Sequence, residues 1–247
     1  MTDVLNLGLV YPGGGPESDI YSFERVMAGR LRVFLSNSEF GIVDGSDHHP
    51  DALRMTAEVP RIASAAERLN DCNLDALVWA CTSGSFVNGR AFAEDQAAQL
   101  SNRLGIPVTS TSLAFAAALK ELSVRRVALL STYPESATDL FVIFLSEFGT
   151  TVTARHFIGN PSGWQSAVMQ CEDIRDAASD LDLTQCQALL IPDTALPSLS
   201  WAPILEQRIG RPVLTANSVS LWHGLRIMKG QSVQPNLEFG LTSLEVS

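Results

Sequence analysis

Cys81 is the residue of this sequence whose type and setting most favour chemistry. It follows the apolar run 76–80 and precedes a small polar turn that begins with Thr82 and Ser83. A thiol between a strand and a helix can act as a reactive group, because backbone N–H groups at that junction stabilise negative charge. The alternative is a buried structural cysteine, a common fate of free thiols.

Asp193 stands in a similar setting, after the apolar run 188–191 and before Thr194. A capping or turn aspartate is the alternative interpretation of this residue. If Cys81 and Asp193 face each other, however, a thiol and a carboxylate could remove and return a proton on opposite faces of a substrate.

Polar groups follow two further apolar runs. Thr132 and Tyr133 come after residues 127–131, and the phenol of Tyr133 could donate a hydrogen bond to a carboxylate. The glycine run 13–15 follows residues 5–11, but no Lys-Ser/Thr pair or GxGxxG spacing accompanies it. It therefore predicts a flexible loop at the site and argues against nucleotide binding.

Apolar runs alternate with segments of helical period, the pattern of a parallel α/β protein. Ser112 and Ser218 are expected to be helix N-caps. The predicted strands are 5–11, 40–43, 76–80, 107–110, 127–131, 151–157, 188–191 and 212–215, and the predicted helices are 50–69, 91–104, 112–122, 135–148, 165–180 and 218–228.

Three pairs of segments resemble each other in the same order along the chain. Residues 5–12 match 127–134, residues 76–82 match 188–194, and residues 105–108 match 210–213. This internal similarity predicts a duplication into two halves. A (β/α)₈ barrel is the alternative, and in both architectures the site lies at the carboxyl ends of strands, where Cys81 and Asp193 stand.

Composition excludes several classes of function. The 247 residues carry a formal net charge of -10 and no cluster of Lys and Arg, which disfavours nucleic acid and anionic membranes as partners. No apolar run approaches the roughly 20 residues of a membrane span, and no secretory signal is visible, so a cytoplasmic location is expected. The four cysteines show no CxxC spacing, and the stretch 44–51, which includes His48 and His49, does not form a metal-site pattern.

Three segments, 76–85, 130–134 and 211–226, resemble the aspartate/glutamate racemase superfamily, in particular its maleate isomerase and arylmalonate decarboxylase branch, which includes proteins of ectoine utilisation. The resemblance implies two pseudo-symmetric, Rossmann-like α/β/α halves with parallel sheets and an active site in the cleft between them. Residues 1–118 with 218–247 would form the N-terminal half, and residues 119–217 the C-terminal half. It also implies a small carboxylate substrate, no cofactor, no metal and a homo-oligomer.

The resemblance also assigns roles to residues. Cys81 would be the first of the family's two catalytic cysteines, with Thr82 and Ser83 holding a substrate carboxylate and Tyr133 gripping the substrate. Asp193 stands in place of the second cysteine. Thr132 and Thr194 are expected to bind substrate as well.

The function expected from these features is a cofactor-independent racemase or isomerase of a small carboxylic or dicarboxylic acid, acting by proton transfer or thiol chemistry. A decarboxylase that uses Cys81 alone as its acid is the first alternative. A non-catalytic carboxylate-binding protein is the second.

Overall fold

A computed structural model describes residues 4–228, which contain two parallel four-stranded sheets. The first sheet has the order β2-β1-β3-β4 and the second the order β6-β5-β7-β8. The corresponding strands of the two sheets follow the chain in the same sequence, so the predicted duplication is confirmed and a barrel is excluded. The strands are β1 Leu5–Tyr11, β2 Leu31–Asn37, β3 Ala76–Trp79, β4 Val108–Ser110, β5 Arg126–Ser131, β6 Thr151–Phe157, β7 Ala188–Ile191 and β8 Val213–Thr215.

Helices flank both sheets. Within the described residues they are α1 Glu17–Val26, α2 Pro50–Thr56, α3 Val59–Glu67, α4 Thr82–Phe86, α5 Gly89–Leu104, α6 Thr111–Glu121, α7 Glu135–Glu147, α8 Gly163–Ala167, α9 Cys171–Ser179, α10 Ala202–Ile209 and α11 Ala216–Arg226, with a 3₁₀ turn at Asn70–Cys72. None of these helices is both long and apolar enough to cross a membrane.

The central strands β3 and β7 are buried at every position, which explains their unbroken apolar sequences. The two halves also share an aromatic core. Phe141 of α7 lies 5.0 Å from Phe86 of α4 and 5.6 Å from Phe115 of α6, measured between ring centroids. A continuous apolar core therefore joins the two halves.

The predicted strand 40–43 is wrong. Phe40 and Ile42 are exposed, and within this stretch only Val43 forms an isolated bridge, to Ser46. The strand of this region is β2, which pairs with β1 along its full length. Its sequence lacks a clear alternation, because the apolar Phe34 stands where a polar residue would be expected between Arg32 and Ser36.

Two predicted helices are each divided in two. The segment 50–69 forms α2 and α3, with Pro60 in the first turn of α3, where a proline is tolerated. The segment 165–180 forms α8 and α9. Helices α1, α4 and α10 were not predicted from sequence.

Both predicted N-caps are wrong by a few residues. The N-cap of α6 is Ser110, and Ser112 instead donates its hydroxyl to the carbonyl of Thr82 at 2.8 Å. The N-cap of α11 is Thr215, and Ser218 completes a capping box with it.

Helix α11 packs on α6, and the hydroxyl oxygens of Ser220 and Thr111 lie 2.7 Å apart. Residues 229–247 of the predicted N-terminal half lie outside the described residues.

Candidate active site

A small cavity lies between the two halves, at the carboxyl ends of the strands. Its empty volume is about 530 Å³, part of which is open to solvent. The lining residues come from both halves and are Tyr11, Pro12, Gly13, Gly14, Pro16, Phe40, Asp47, His48, Leu53, Thr56, Cys81, Ser83, Tyr133, Gly163, Trp164, Asp193, Thr194 and Ala195.

Cys81 stands two residues after the end of β3 and is the N-cap of α4. Its Sγ accepts a hydrogen bond from the backbone N–H of Gly84 at 3.3 Å, and the Ser83 hydroxyl lies 3.9 Å away. Burial raises the pKa of the Cys81 thiol to about 12, and the negative charges of Asp193 and Asp47 act in the same direction. The thiol is therefore protonated at neutral pH, which suits a proton donor.

The turn that carries Cys81 is held by bonds within its own half. The Ser85 hydroxyl donates to the carbonyl of Cys81 at 2.8 Å, and the backbone N–H of Ser112 donates to the same hydroxyl at 3.1 Å. Thr82 is fully buried, and its Oγ1 has no hydrogen-bond partner among residues 4–228.

Asp193 follows β7 at the place that matches Cys81 after β3. Its Oδ2 accepts a hydrogen bond from the Thr132 hydroxyl at 2.6 Å, and its Oδ1 accepts one from the backbone N–H of Ala195 at 2.9 Å. Asp193 is only 3% exposed. The two bonds fix the orientation of a carboxylate that borders the cavity.

Tyr133 is buried beside these two residues. Burial raises the pKa of its phenol well above the usual value, and the nearby Asp193 and Cys81 raise it further. The ring makes edge contacts with His48, at 4.8 Å between centroids, and with Phe86, at 5.9 Å. Because the phenol keeps its proton, it can act as a hydrogen-bond donor to an anion.

The 193–201 loop, which follows β7, is anchored by the N-terminal half. Gly15 has a φ of +99°, and a Cβ at this position would lie 1.9 Å from the carbonyl oxygen of Ala195. Asp19 of α1 accepts a hydrogen bond on Oδ2 from the backbone N–H of Leu199, at 2.9 Å, and another from the Asn217 side chain, also at 2.9 Å. The glycine run 13–15 thus borders the site through Gly13 and Gly14, and Gly15 is required by close packing.

The 38–49 loop, between β2 and α2, reaches across the cleft from the N-terminal half. The Ser46 hydroxyl donates to the carbonyl of Pro161 at 2.6 Å, and the backbone N–H of Gly163 donates to Asp47 Oδ2 at 3.3 Å. His48 is 5% exposed, and its Nδ1 lies 2.8 Å from the carbonyl oxygen of Asn160. These contacts bring Asp47 and His48 into the wall of the cavity.

Five of the seven predicted site residues line this cavity, and two lie behind it. Thr82 is buried next to Cys81, and Thr132 holds Asp193 from behind. The five that line the cavity are Cys81, Ser83, Tyr133, Asp193 and Thr194.

Sequence reasoning missed Asp47 and His48 as site residues. Their stretch was considered only for a metal, and within the described residues no group of three or more His, Cys, Asp or Glu is arranged to hold one. The available signal was a cluster of polar residues in a loop between two elements of the first half. That signal does not reveal that the loop crosses to the second half.

Comparison with known proteins places the chain in a family. The family model described as arylmalonate decarboxylase matches residues 53–236. Arylmalonate decarboxylase of Bordetella bronchiseptica is 28% identical over 183 residues, which cover 70% of this chain and 73% of that protein. Maleate isomerase of Geobacillus stearothermophilus is 22% identical over 177 residues, covering 69% and 70% of the two chains.

Solved structures show the same fold. Maleate isomerase of Pseudomonas putida S16, with maleate, superposes with a TM-score of 0.86 at 18% identity, covering 99% of this chain and 100% of that one. A liganded mutant of arylmalonate decarboxylase gives 0.82 at 23% identity, covering 96% and 98%. A maleate cis-trans isomerase of Nocardia farcinica with a covalently bound succinylcysteine intermediate gives 0.82 at 21% identity, covering 91% and 92%. With a family model that spans residues 53–236, the chain belongs to the arylmalonate decarboxylase family.

Proposed function

We propose that this protein is a cofactor-independent racemase or isomerase of a small carboxylic acid, with Cys81 and Asp193 as its acid and base. One observation carries the proposal. Cys81 and Asp193 end equivalent strands of the two halves and border one cavity, so a bound acid would have one of them on each side. Proton removal and return on opposite faces needs this arrangement.

The thiol state of Cys81 assigns the direction of transfer. The pKa of Cys81, raised to about 12 by burial, leaves a thiol in the resting site, while Asp193 is held with both oxygens as acceptors. Asp193 would take the proton from Cα, and the electron pair of that C–H bond would form an enediolate. Cys81 would then form a new C–H bond on the opposite face, and proton exchange with water would restore both groups.

The enediolate needs hydrogen-bond donors that are already in place. Ser83 beside the thiol and Tyr133, whose phenol stays protonated, border the cavity and are suited to this role. Fixed donors of this kind typically contribute about 3 to 4 kcal/mol each to lowering a barrier. No step of this reaction requires a cofactor.

Covalent addition of a thiolate, in keeping with the succinylcysteine of the Nocardia farcinica isomerase structure, is less well supported for this chain. It requires an ionised nucleophile, and the raised pKa of Cys81 opposes ionisation in the resting site. Proton donation by the thiol uses the state that the site favours.

A decarboxylase is the second candidate, because both the family model and the Bordetella bronchiseptica relative are described as arylmalonate decarboxylase. In that reaction one carboxylate leaves as CO₂, and Cys81 alone protonates the remaining enediolate. The two candidates differ in whether Asp193 is needed.

The experiment is proton NMR in D₂O with small carboxylic acids, maleate and alkylmalonates, comparing wild type with Cys81→Ala. We expect deuterium exchange at Cα that falls by about 10²- to 10⁴-fold in Cys81→Ala. Cis-trans conversion of maleate needs addition to its double bond, so its appearance would support the covalent thiol route instead. Cys72→Ala removes a half-exposed thiol away from the cavity and serves as the matched control. Full activity in Cys81→Ala would refute the role of this thiol.

Asp193→Asn separates the two candidate reactions. A racemase should lose exchange at Cα by a similar factor, because its base is gone. A decarboxylase should still release CO₂ and add a single deuteron. Binding without turnover across the whole panel would instead indicate a non-catalytic carboxylate-binding protein.

A further inference from the structure

Two serine hydroxyls hold the backbone of the turn that carries Cys81. The Ser112 hydroxyl, on the first turn of α6, donates to the carbonyl of Thr82 at 2.8 Å. Ser85 Oγ lies 2.8 Å from the carbonyl oxygen of Cys81 and 2.7 Å from the Ser112 hydroxyl. Both serines are fully buried, so bulk water does not supply these hydrogen bonds. The turn therefore depends on a residue of another helix for one of its backbone contacts.

Ser85 cannot take over the contact that Ser112 makes. A serine hydroxyl has one proton, and the carbonyl oxygens of Cys81 and Thr82 lie 2.8 and 2.9 Å from Ser85 Oγ. Without the Ser112 hydroxyl, this single proton would have to serve both carbonyls. The turn that presents the Cys81 thiol would then be less constrained.

An equivalent contact occurs after β7, in the loop that carries Asp193. Asn217 is the second residue of α11, as Ser112 is of α6, and each of these helices follows the last strand of its sheet along the chain. The Asn217 side chain donates to the carbonyl of Leu196, three residues after Asp193, at 2.9 Å. Two different side chains thus place a donor at the same position of the two repeated units, which packing alone would not require.

We propose, on the basis of the proposed function, that Ser112 and Asn217 are positioning residues for Cys81 and Asp193, respectively. Neither Ser112 nor Asn217 is among the described residues that line the cavity, so each acts through the backbone that it holds. Both are buried on the first turn of a helix, a rigid element from which a neighbouring segment can be fixed. A misplacement of about 1 Å can cost about 100-fold in rate, so a loss of support at either side chain is measurable.

Ser112→Ala tests the contact with the turn of Cys81. We expect kcat to fall by about 10-fold or more, with KM little changed, for the acid that wild type converts fastest in the D₂O assay. Ser220→Ala is the matched control, because it removes another buried serine hydroxyl, which lies 2.7 Å from that of Thr111 on α6. The control should keep the kcat of wild type, and the two variants should have similar midpoints of urea denaturation.

An infrared measurement reports on the thiol without turnover. The S–H stretching band of Cys81 is the one that disappears in Cys81→Ala, and its frequency and width respond to the surroundings of the sulfur. We expect Ser112→Ala to shift or broaden this band, and Ser220→Ala and Asn217→Ala to leave it unchanged. Asn217→Ala should still lower kcat by about 10-fold, because it loosens the loop that carries Asp193.

The inference is overturned for Cys81 if either kcat or the thiol band of Ser112→Ala matches that of Ser220→Ala, and for Asp193 if Asn217→Ala keeps the kcat of wild type. Failure of both variants to fold would assign these residues to stability alone and overturn it as well. Turnover that depends on Cys81, with no response to Ser112→Ala, would reject the inference and leave the proposed function standing. A band that moves in Ser112→Ala, in a protein without turnover, would reject the proposed function and leave the support of the thiol by Ser112 standing.

Discussion

The strand ends that carry Cys81 and Asp193 occupy matching places in the two halves, but they are stabilised in different ways. After β3 the chain enters α4 at once, and Cys81 is fixed by Gly84 and Ser85, within four residues of it. After β7 the chain forms the 193–201 loop and reaches a helix only at α10. That loop depends on Gly15 and Asp19, which belong to the other half.

The difference shows how a duplicated scaffold can support an asymmetric reaction. The local turn in the N-terminal half encloses a thiol and keeps its proton. The loop in the C-terminal half presents a carboxylate whose surroundings are assembled from both halves. Changes to the contacts between halves should therefore affect the Asp193 side of the cavity and spare the Cys81 side.

The largest effect on stability is expected for Gly15→Ala. The new Cβ would lie 1.9 Å from the carbonyl oxygen of Ala195, and the φ of +99° disfavours any L side chain. We expect a loss of about 3 kcal/mol or more in the free energy of unfolding, measured by urea denaturation. Gly29→Ala, at a φ of +79° with open space around it, is the control and should cost about 1 kcal/mol. Equal losses in both variants would mean that the contact with the 193–201 loop is unimportant.

The second prediction concerns Asp19, where burial raises the pKa from 3.8 to about 6. The folded state therefore holds this proton more tightly than the unfolded state, so the group stabilises the fold below about pH 4. That contribution is lost as the pH rises through about 6. The difference between the two pKa values corresponds to about 3 kcal/mol.

Asp19→Asn removes this titration. The free energy of unfolding of wild type, relative to that of the variant, should fall by about 2 to 3 kcal/mol between pH 4 and pH 7. Thermal or urea denaturation at a series of pH values measures it. A difference that stays constant with pH would contradict a raised pKa at this contact between the halves.

The smallest effect is expected for Thr132→Val, which removes the 2.6 Å hydrogen bond to Asp193 and keeps the shape of the side chain. If Asp193 is the base, a less constrained carboxylate should lower kcat by about 10-fold with little change in KM. Thr132→Ser keeps the hydroxyl and should retain most of the activity. Loss of activity in both variants would point to packing as the cause.

The contrast between a locally fixed turn and a loop held by distant residues also explains which parts of the site could be predicted from the sequence. Cys81, Ser83, Tyr133, Asp193 and Thr194 follow apolar runs, and strand ends in a parallel fold converge, so their meeting could be predicted. The central strands β3 and β7 were located correctly because their sequences are uniformly apolar.

The missed features depend on contacts between distant residues. Asp19 and Leu199 are 180 positions apart, and the 38–49 loop meets residues 160–163 across the cleft. No local sequence pattern around Asp47 or His48 indicates these contacts, because the conformation of the loop depends on the surface of the other half against which it packs. A polar loop is also where a strand was wrongly predicted, since its few apolar residues, Phe40 and Ile42, are exposed.

The burial of Cys81 has a further consequence for the lifetime of the protein in air. Oxidation of cysteine proceeds through the thiolate and requires access by the oxidant, and Cys81 is 4% exposed with a pKa raised to about 12. Cys72 and Cys171 are half-buried and offer easier targets. The same enclosure that keeps the proton on Cys81 thus protects its sulfur from peroxide, and oxidative damage should reach Cys72 and Cys171 first.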